Sequence, residues 1–161
     1  MSCVPALGAS CRKGWRWLSS TTCSSYAPRF AETPARPLGG RSPLHVASNG
    51  KAVLASMSAT EQEAYLTRPL KPSTRHTITD PEALRAELER IRKLGYAVSL
   101  GELDEGVRAV AAPILGVDAA PIGSISISCP AQRLPDELIP RYGGWVRSAA
   151  KEIRQLAQAW V

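Results

Sequence analysis

The sequence predicts an α+β domain in which helices flank a mostly antiparallel sheet. Three observations support this fold class: a helix framed by capping signals, a strand of alternating isoleucine and serine, and a long amphipathic stripe near the carboxyl end. The chain has 161 residues, enough for one domain. Because 44% of the residues are hydrophobic, a wholly disordered chain is excluded. No apolar run is long enough to span a membrane.

The first 40 residues differ from the rest of the chain. They are rich in serine, threonine and proline and keep no apolar period, which predicts an irregular or disordered basic head over residues 1–40 and a domain over residues 41–161. The formal net charge is +6, and most of the basic excess lies in the head. A basic segment with interleaved aromatic residues could contact nucleic acid, but a non-specific, unstructured tail is the favoured interpretation.

Two short helices are predicted at the start of the domain. Ser48 and Asn49 are capping residues that precede an apolar run over residues 52–57, so we expect a helix whose first backbone N–H groups are free. Thr60 and Glu63 have the spacing of a capping box, which predicts a second short helix from Glu61 to Leu66.

Two longer helices have clearer signals. Asp80 and Pro81 predict the start of one helix and Gly95 predicts its end. The other helix is predicted to open at Pro135, and its apolar residues recur at gaps of three and four, which is typical of an amphipathic helix. These apolar residues are Ile139, Tyr142, Val146, Ala149, Ile153, Leu156 and Trp160.

Three strands are predicted between the two longer helices. Residues 96–100 and 107–114 form two apolar runs, whereas residues 122–128 alternate serine with isoleucine. Because successive side chains of a strand point to opposite faces, this alternation predicts one face of isoleucine and one face of hydroxyl groups. The hydroxyl groups belong to Ser124, Ser126 and Ser128.

The hydroxyl row and the first short helix could bind a small anion together. Hydroxyl groups donate hydrogen bonds, and the free N–H groups and positive dipole end of a helix attract negative charge. If both face the same space, they suit a small organic acid. The alternative for the hydroxyl row is a solvent-facing strand, in which serine is ordinary, and a helix start alone is a weak signal.

Catalysis is not predicted. His45 and His76 are the only histidines and neither lies in a nucleophile motif, so a hydrolase or acyltransferase that uses one of them is the less favoured alternative. Glu102, Asp104 and Glu105 share one turn and are expected to be solvated. The cysteines of the head are not spaced as zinc ligands, and no phosphate-binding or dinucleotide-binding motif occurs. We therefore expect no metal and no cofactor.

Several motifs from Pro43 onward occur in an order that resembles a known family. They are Pro43-Leu44-His45, the segment from Ser48 to Ala55, Thr77 to Pro81 with Leu84, Gly95 to Val98, Gly101 to Val107, Ala111-Ala112-Pro113, Ile125 to Pro130, and Arg133-Leu134. Together they resemble the effector-binding domain of IclR-type bacterial transcriptional regulators.

The resemblance implies a GAF-like effector-binding domain that binds a small metabolite, often an organic or aromatic acid, and transmits this binding to DNA. It also implies a pocket built from a helix start, from the strand after the helix end at Gly95, and from the Ser-x-Ser strand. The matching positions are Ser48, Asn49, Ser99, Ala109, Ser126 and Ser128. Because Ser99 and Ala109 stand where the family can have a carboxylate and a polar or thiol side chain, fewer side-chain contacts to the ligand are expected.

The resemblance also implies partners. Such regulators contact DNA through a winged helix-turn-helix domain, which residues 1–40 do not resemble, and we expect the effector-binding domain to be incomplete at its N-terminal edge. We expect a homo-oligomer or pairing with a full-length regulator, no membrane association, and a cytoplasmic location. The alternative function is an associative fragment that pairs with a full-length regulator without binding a ligand.

Overall fold

A computed structural model describes residues 42–158 of the chain. The chain divides into two units between Ser42 and Pro43. The predicted irregular head over residues 1–40 and the place of Trp160 in the last amphipathic stripe lie outside the described residues. The domain boundary at residue 41 therefore stays a prediction.

The described part has the predicted α+β class, with four α-helices and a three-stranded sheet. The helices are α1 (Ser48–Ser56), α2 (Ala59–Leu66), α3 (Pro81–Leu94) and α4 (Ile139–Gln158). The strands are β1 (Ala97–Leu100), β2 (Val107–Leu115) and β3 (Pro121–Pro130). Within residues 42–158, no helix is both long enough and apolar enough to cross a membrane.

The sheet is antiparallel and has the strand order β1-β2-β3. Because β2 is central, Ala109 lies opposite both Ser99 in β1 and Ser128 in β3, while Ala111 lies opposite Ser126. Directly opposite residues of antiparallel strands point to the same face of a sheet. These five residues therefore share one face, which we call the serine face.

The other face of the sheet packs against α4. The buried residues of this core are Tyr96, Val98, Val110, Ala112, Leu134, Val146 and Ala150. Gly143 allows the close approach, because a Cβ added there would lie 2.5 Å from the Tyr96 ring. Since α4 occupies this face and α1 contacts all three strands, α1 covers the serine face.

The start of α1 differs from the prediction. The helix begins at Ser48, so Ser48 and Asn49 lie in its first turn and do not cap it. Ala47 is the N-cap residue and provides no side-chain hydrogen bond. The preceding turn, Leu44–Val46, is buried and fixes where the helix begins.

The capping box of α2 also lies two residues earlier than predicted. Ser58 is the N-cap, its backbone N–H donates to the Glu61 carboxylate at 3.0 Å, and the Glu61 N–H donates to its hydroxyl at 3.3 Å. The buried Met57 has extended backbone and ends α1, so Ser58 is the first residue able to open a new helix. Thr60 and Glu63 have the same spacing but lie inside the helix.

The ends of α3 agree with their predicted signals, whereas α4 begins four residues later than the predicted start at Pro135. The Asp80 side chain accepts a backbone hydrogen bond of 2.7 Å at the start of α3, and Gly95 ends the helix with a φ of 77°. α4 begins at Ile139 after a short 3-10 turn that follows Pro135. Pro140 thus falls in the first turn, where its missing N–H breaks no helical hydrogen bond.

Gly50 is tightly constrained by packing. A Cβ added there would lie 2.2 Å from the carbonyl oxygen of Leu44. We expect Gly50→Ala to lower the free energy of unfolding by about 1–3 kcal/mol, the usual cost of overpacking. The control is Gly144→Ala in α4, because a Cβ there meets no atom within 4 Å and improved helix propensity should add up to about 1 kcal/mol. Denaturant unfolding measures both variants, and equal stabilities would contradict this account.

Candidate ligand site

Four of the six residues predicted to bind a ligand lie on the serine face. Ser99, Ala109 and Ser128 form one row across the three strands, and Ser126 lies two residues along β3 from Ser128. Neighbouring strands are about 4.8 Å apart, which separates the Cα atoms of Ser99 and Ser128 by roughly 10 Å. Same-face neighbours in a strand are about 7 Å apart. The structure thus brings these four residues together on one surface.

The side chains on this surface differ in exposure. Ser99 is buried, Ala109 and Ser126 are half-buried, and Ser128 is exposed. Within the described part of the chain, the hydroxyl groups of the three serines form no hydrogen bond. Residues 42–158 therefore leave their hydrogen-bonding capacity unused.

The first turn of α1 contributes backbone N–H groups. Ser48 is buried and Asn49 is half-buried. The Lys51 N–H donates to the Ala47 carbonyl at 2.9 Å and is the first to close a helical hydrogen bond. The N–H groups of Ser48, Asn49 and Gly50 precede it, and no acceptor among residues 42–158 receives them. The helix dipole places its positive end at this turn.

A buried lysine lies directly after these N–H groups. The Lys51 side chain is fully buried, and its Nζ lies 2.7 Å from both carboxylate oxygens of Glu102. Only Oε1 has hydrogen-bonding geometry, so Oε2 accepts no hydrogen bond from residues 42–158. The same Nζ also lies 3.3 Å from the Glu87 carboxylate in α3. Lys51 therefore contacts two carboxylates at once.

This ion-pair cluster fixes α1 relative to the sheet. Lys51 lies in the first turn of α1, and Glu102 follows directly after β1, close to Ser99 in sequence. The Thr77 hydroxyl donates to the Glu102 carbonyl at 2.6 Å, which holds the turn that carries the carboxylate. The helix start and the end of β1 are thus joined by a charged contact in which the Lys51 side chain is fully buried.

The prediction that Glu102 is solvated is wrong. Glu102 is buried, whereas Asp104 is half-buried and Glu105 is exposed. The reason is the unpaired positive charge that Lys51 would otherwise bring into the core, because a buried ion without a partner is strongly unfavourable. The signal was present in the sequence, since Lys51 directly precedes the apolar run over residues 52–57.

The cluster shifts the pKa values of its two carboxyl groups in opposite directions. Burial raises the pKa of Glu102, although the Lys51 charge partly offsets this effect. Burial also opposes ionisation of Glu87, but the hydrogen bond from Arg90 and the charge of Lys51 together outweigh it and lower the Glu87 pKa. Glu87 thus supplies a carboxylate that stays ionised beside Lys51.

The His45 ring is held by hydrogen bonds within the fold. Its Nε2 lies 3.0 Å from the Lys71 carbonyl oxygen, and its Nδ1 lies 2.8 Å from the Tyr65 hydroxyl. Because a carbonyl oxygen can only accept a hydrogen bond, Nε2 carries the proton and donates it. Burial lowers the pKa of His45, against the opposing effect of the Lys71 hydrogen bond. The imidazole is therefore neutral and is engaged on both sides, and these contacts leave it no role as a catalytic base.

A cavity of about 250 Å³ lies at the opposite end of α1. Its lining consists of Ala55, Ser56, Ile91, Arg92, Gly95, Pro113, Leu115 and Ala119. None of the six predicted ligand-binding residues lines this cavity. The Arg92 side chain already binds α1, because its Nε donates a hydrogen bond to the Ala55 carbonyl at 2.9 Å. Pro113 lies two residues along β2 from Ala111, so the cavity lies on the same side of the sheet as the serine face, near the C-terminal end of α1.

The sequence matches a described protein family. The family model "Bacterial transcriptional regulator IclR C-terminal" matches residues 31–155. The chain is also 36% identical over 118 residues to the transcriptional repressor IclR of Escherichia coli strain K12. This match covers 73% of the chain and 43% of the repressor, so the chain spans less than half the length of that relative.

Two solved structures have the same fold. IclR of Thermotoga maritima matches with a TM-score of 0.73 and 36% identity, over 78% of this chain and 52% of that one. An IclR homologue from Microbacterium hydrocarbonoxydans, complexed with 4-hydroxybenzoate, matches with a TM-score of 0.69 and 29% identity, over 81% of this chain and 52% of that one. These similarities confirm the predicted α+β effector-domain fold.

Breaking the buried ion pair should be strongly destabilising. We expect Lys51→Met to lower the free energy of unfolding by about 3–5 kcal/mol, because it leaves the Glu102 carboxylate buried without its cation. The double variant Lys51→Met, Glu102→Leu should regain most of this loss. The control is Arg85→Met, which removes ion pairs with the exposed Glu63 and Glu82 and should cost about 0–1 kcal/mol. Urea unfolding measures all three, and equal losses for Lys51→Met and Arg85→Met would disprove the role of the pair.

Acidification should destabilise the fold through His45. Its pKa in the folded chain lies below the ordinary value of 6.5, so the unfolded chain binds a proton more readily as the pH falls through this range. Stability therefore decreases from about pH 7.5 to pH 5.5, and His45→Gln should make this decrease smaller. Melting temperatures at the two pH values test this expectation, with His76→Gln as the control for removing an exposed imidazole. An unchanged decrease in His45→Gln would refute it.

Proposed function

Because the chain belongs to the IclR family of bacterial transcriptional regulators, we propose that its domain binds a small organic or aromatic carboxylate and thereby regulates transcription. The members of this family are transcriptional regulators and not enzymes, in agreement with the prediction that the chain is not an enzyme. The domain accordingly senses a ligand and leaves it chemically unchanged.

The proposed site lies between the first turn of α1 and the serine face. The observation that carries this proposal is the set of unengaged donors on two elements that pack on each other. The N–H groups of Ser48 and Asn49 are on one element, and the hydroxyl groups of Ser99, Ser126 and Ser128 are on the other. Ala109 lies in the middle of the serine row.

The chemistry of these groups favours a carboxylate. Backbone N–H groups and hydroxyl groups can all donate hydrogen bonds, and hydrogen bonds to a charged acceptor contribute about 1.5–3 kcal/mol each. The positive end of the α1 dipole adds to this preference. Lys51 is already neutralised by two carboxylates, so the site relies on neutral donors and suits a single negative charge.

The middle of the serine face favours an apolar body on the ligand. Ala109 lies between Ser99 and Ser128 and presents only a methyl group, whereas Ala111 lies between Ala97 and Ser126 and is fully buried. A planar ring over Ala109 would make apolar contacts there, while serine hydroxyls on either side reach its polar substituents. The relative solved with 4-hydroxybenzoate supports an aromatic acid as one member of this ligand class.

Regulation requires a DNA-binding element outside the described residues. We propose that DNA is contacted through a winged helix-turn-helix domain, in a regulator with which this domain is associated. Because the chain spans 43% of the length of its E. coli relative, DNA binding is assigned to the assembly and not to residues 42–158. The cytoplasm is the compartment in which such a regulator would act.

Ligand binding can be measured by thermal unfolding and calorimetry with a panel of 4-hydroxybenzoate, benzoate, pyruvate and glyoxylate. A ligand at 100 times its dissociation constant should stabilise the fold by about 2.7 kcal/mol. Ser126→Ala and Ser128→Ala should each weaken binding of that ligand by about 10-fold to 100-fold, because each removes a hydrogen bond to a charged group. The affinity of Ser56→Ala should be unchanged, since Ser56 lines the cavity at the other end of α1.

The Ser56 variant distinguishes the proposed site from the cavity that Ser56 and Arg92 line. If Ser56→Ala loses binding and the two β3 variants keep it, the ligand occupies that cavity and the proposed site is wrong. If no acid of the panel stabilises a folded sample, the ligand-sensing proposal fails and the associative alternative is favoured.

A further inference from the structure

Helix α2 is attached to the domain by side-chain hydrogen bonds at both ends of α1. Near the C-terminal end of α1, the Gln62 side chain donates to the Met57 carbonyl at 2.9 Å. Before the start of α1, the Tyr65 hydroxyl lies 2.8 Å from Nδ1 of His45 and accepts a hydrogen bond from the His45 backbone N–H at 3.3 Å. α2 therefore bridges the two ends of α1, and Tyr65 is its contact beside the first turn, where the proposed site lies.

The Tyr65 contact holds a residue of the turn that fixes the start of α1. His45 is 1% exposed and lies in the middle of the turn Leu44–Val46. This turn packs directly against the first turn of α1, because a Cβ added to Gly50 would lie 2.2 Å from the Leu44 carbonyl oxygen. Since closely packed elements transmit displacements to each other, a shift of this turn also shifts the backbone that carries the first N–H groups of α1.

The hydrogen bonds of the His45 ring come from α2 and from the loop that follows it. Nδ1 accepts from the Tyr65 hydroxyl, and Nε2 donates to the Lys71 carbonyl at 3.0 Å. The positive charge of Arg68 acts on Tyr65, and no carboxylate of residues 42–158 contacts the ring. The neutral ring thus matches both of its partners, as an acceptor on one side and as a donor on the other.

We propose that the contact between His45 and Tyr65, which we call the His45–Tyr65 pair, positions the first turn of α1 for ligand binding, so that protonation of His45 weakens the binding of a carboxylate. This role rests on the function proposed above and adds a dependence on pH to the same site. Both residues act through the turn Leu44–Val46 and do not themselves contact the ligand, so they are positioning residues.

Protonation of His45 breaks the pair in a defined way. A proton on Nδ1 would face the Tyr65 hydroxyl proton across a contact of 2.8 Å, so the hydroxyl can no longer donate there. The added charge also lies in a buried position, and burial lowers the pKa of His45 for this reason. Ring and hydroxyl therefore separate once His45 is protonated, and the turn Leu44–Val46 moves with the ring.

The charge of a protonated His45 has an opposite effect, which is the smaller one. A positive charge near the first turn of α1 attracts a carboxylate, and this attraction alone would strengthen binding at low pH. However, the ring nitrogens contact Tyr65 and Lys71 and not α1 or the sheet. The displaced backbone, in contrast, carries the N–H donors themselves. Because hydrogen bonds weaken steeply when their geometry is lost, the displacement outweighs the attraction.

Calorimetric titration of the full chain with 4-hydroxybenzoate tests the pH dependence. Between about pH 7.5 and about pH 5.5, we expect the dissociation constant of the wild type to rise by about 5-fold to 10-fold, at the low end of the usual coupling between two sites. His45→Gln should abolish this rise, because a glutamine side chain does not titrate. Ser126→Ala should weaken binding by the same factor at both pH values, since it leaves the His45–Tyr65 pair intact.

Tyr65→Phe tests the positioning role without a change of charge. It removes the hydroxyl that contacts His45, so at about pH 7.5 it should weaken binding of 4-hydroxybenzoate by about 5-fold to 10-fold and flatten the pH profile. Without ligand, amide hydrogen exchange should be about 2-fold to 10-fold faster at Lys51, whose N–H closes the first hydrogen bond of α1, and unchanged at Leu88 in α3. The control is Tyr142→Phe, which removes the same group on the α4 face of the sheet and should leave both measurements unchanged.

Three outcomes would overturn the proposal, and a fourth separates it from the proposed function. Wild-type affinity in Tyr65→Phe would show that the pair does not position the ligand site. A pH dependence that persists in His45→Gln would belong to another group, such as Glu102, whose pKa is raised by burial. Tighter binding at low pH would mean that the charge of His45 acts on the ligand directly. If no acid binds the wild type, the function proposed above fails, and the exchange rate at Lys51 in Tyr65→Phe then supports or refutes the positioning role by itself.

Discussion

The buried contact between Lys51 and Glu102 is the interaction on which the rest of the domain depends. It joins the first turn of α1 to the turn that follows β1. Taking two charges out of water is costly, and a well-packed apolar pair would often be equally stable. What the ion pair adds is position, since Lys51 must meet Glu102 and Glu87 together, whereas apolar residues would tolerate several placements of the helix.

That fixed position gives the two faces of the sheet different roles. The face towards α4 carries Val98, Val110 and the isoleucines of β3, and it supplies the core. The serine face carries hydroxyl groups that no residue within 42–158 engages, and α1 covers it. Because side chains alternate along a strand, one uncharged strand, β3, supplies both a core surface and the donors of the proposed ligand site. Alternate residues of β3 therefore serve different purposes: the isoleucines pack in the core, and the serines face the proposed ligand site.

The features that could be predicted from the sequence are those that neighbouring residues determine. Asp80 and Gly95 mark the ends of α3 because capping depends on neighbouring residues alone, and the alternation of residues 122–128 gave the strand and its two faces. Sequence reasoning did not find the pairing of Lys51 with Glu102, because the partners are 51 residues apart and their contact depends on tertiary packing. The prediction of Thr60 as the α2 cap was wrong for the same reason, since the buried Met57 makes Ser58 the cap. The six predicted ligand residues, including Ala109, remain a prediction.

The most direct test of this account follows backbone amide chemical shifts of the 15N-labelled protein during titration with 4-hydroxybenzoate or another carboxylate that it binds. The account predicts that the largest changes occur at Ser48, Asn49 and Gly50 and along residues 126–128, with little change at Arg92 and Leu115. Changes centred on Arg92 and Leu115, with the first turn of α1 unaffected, would contradict the claim that the ion pair holds a binding surface between α1 and the serine face.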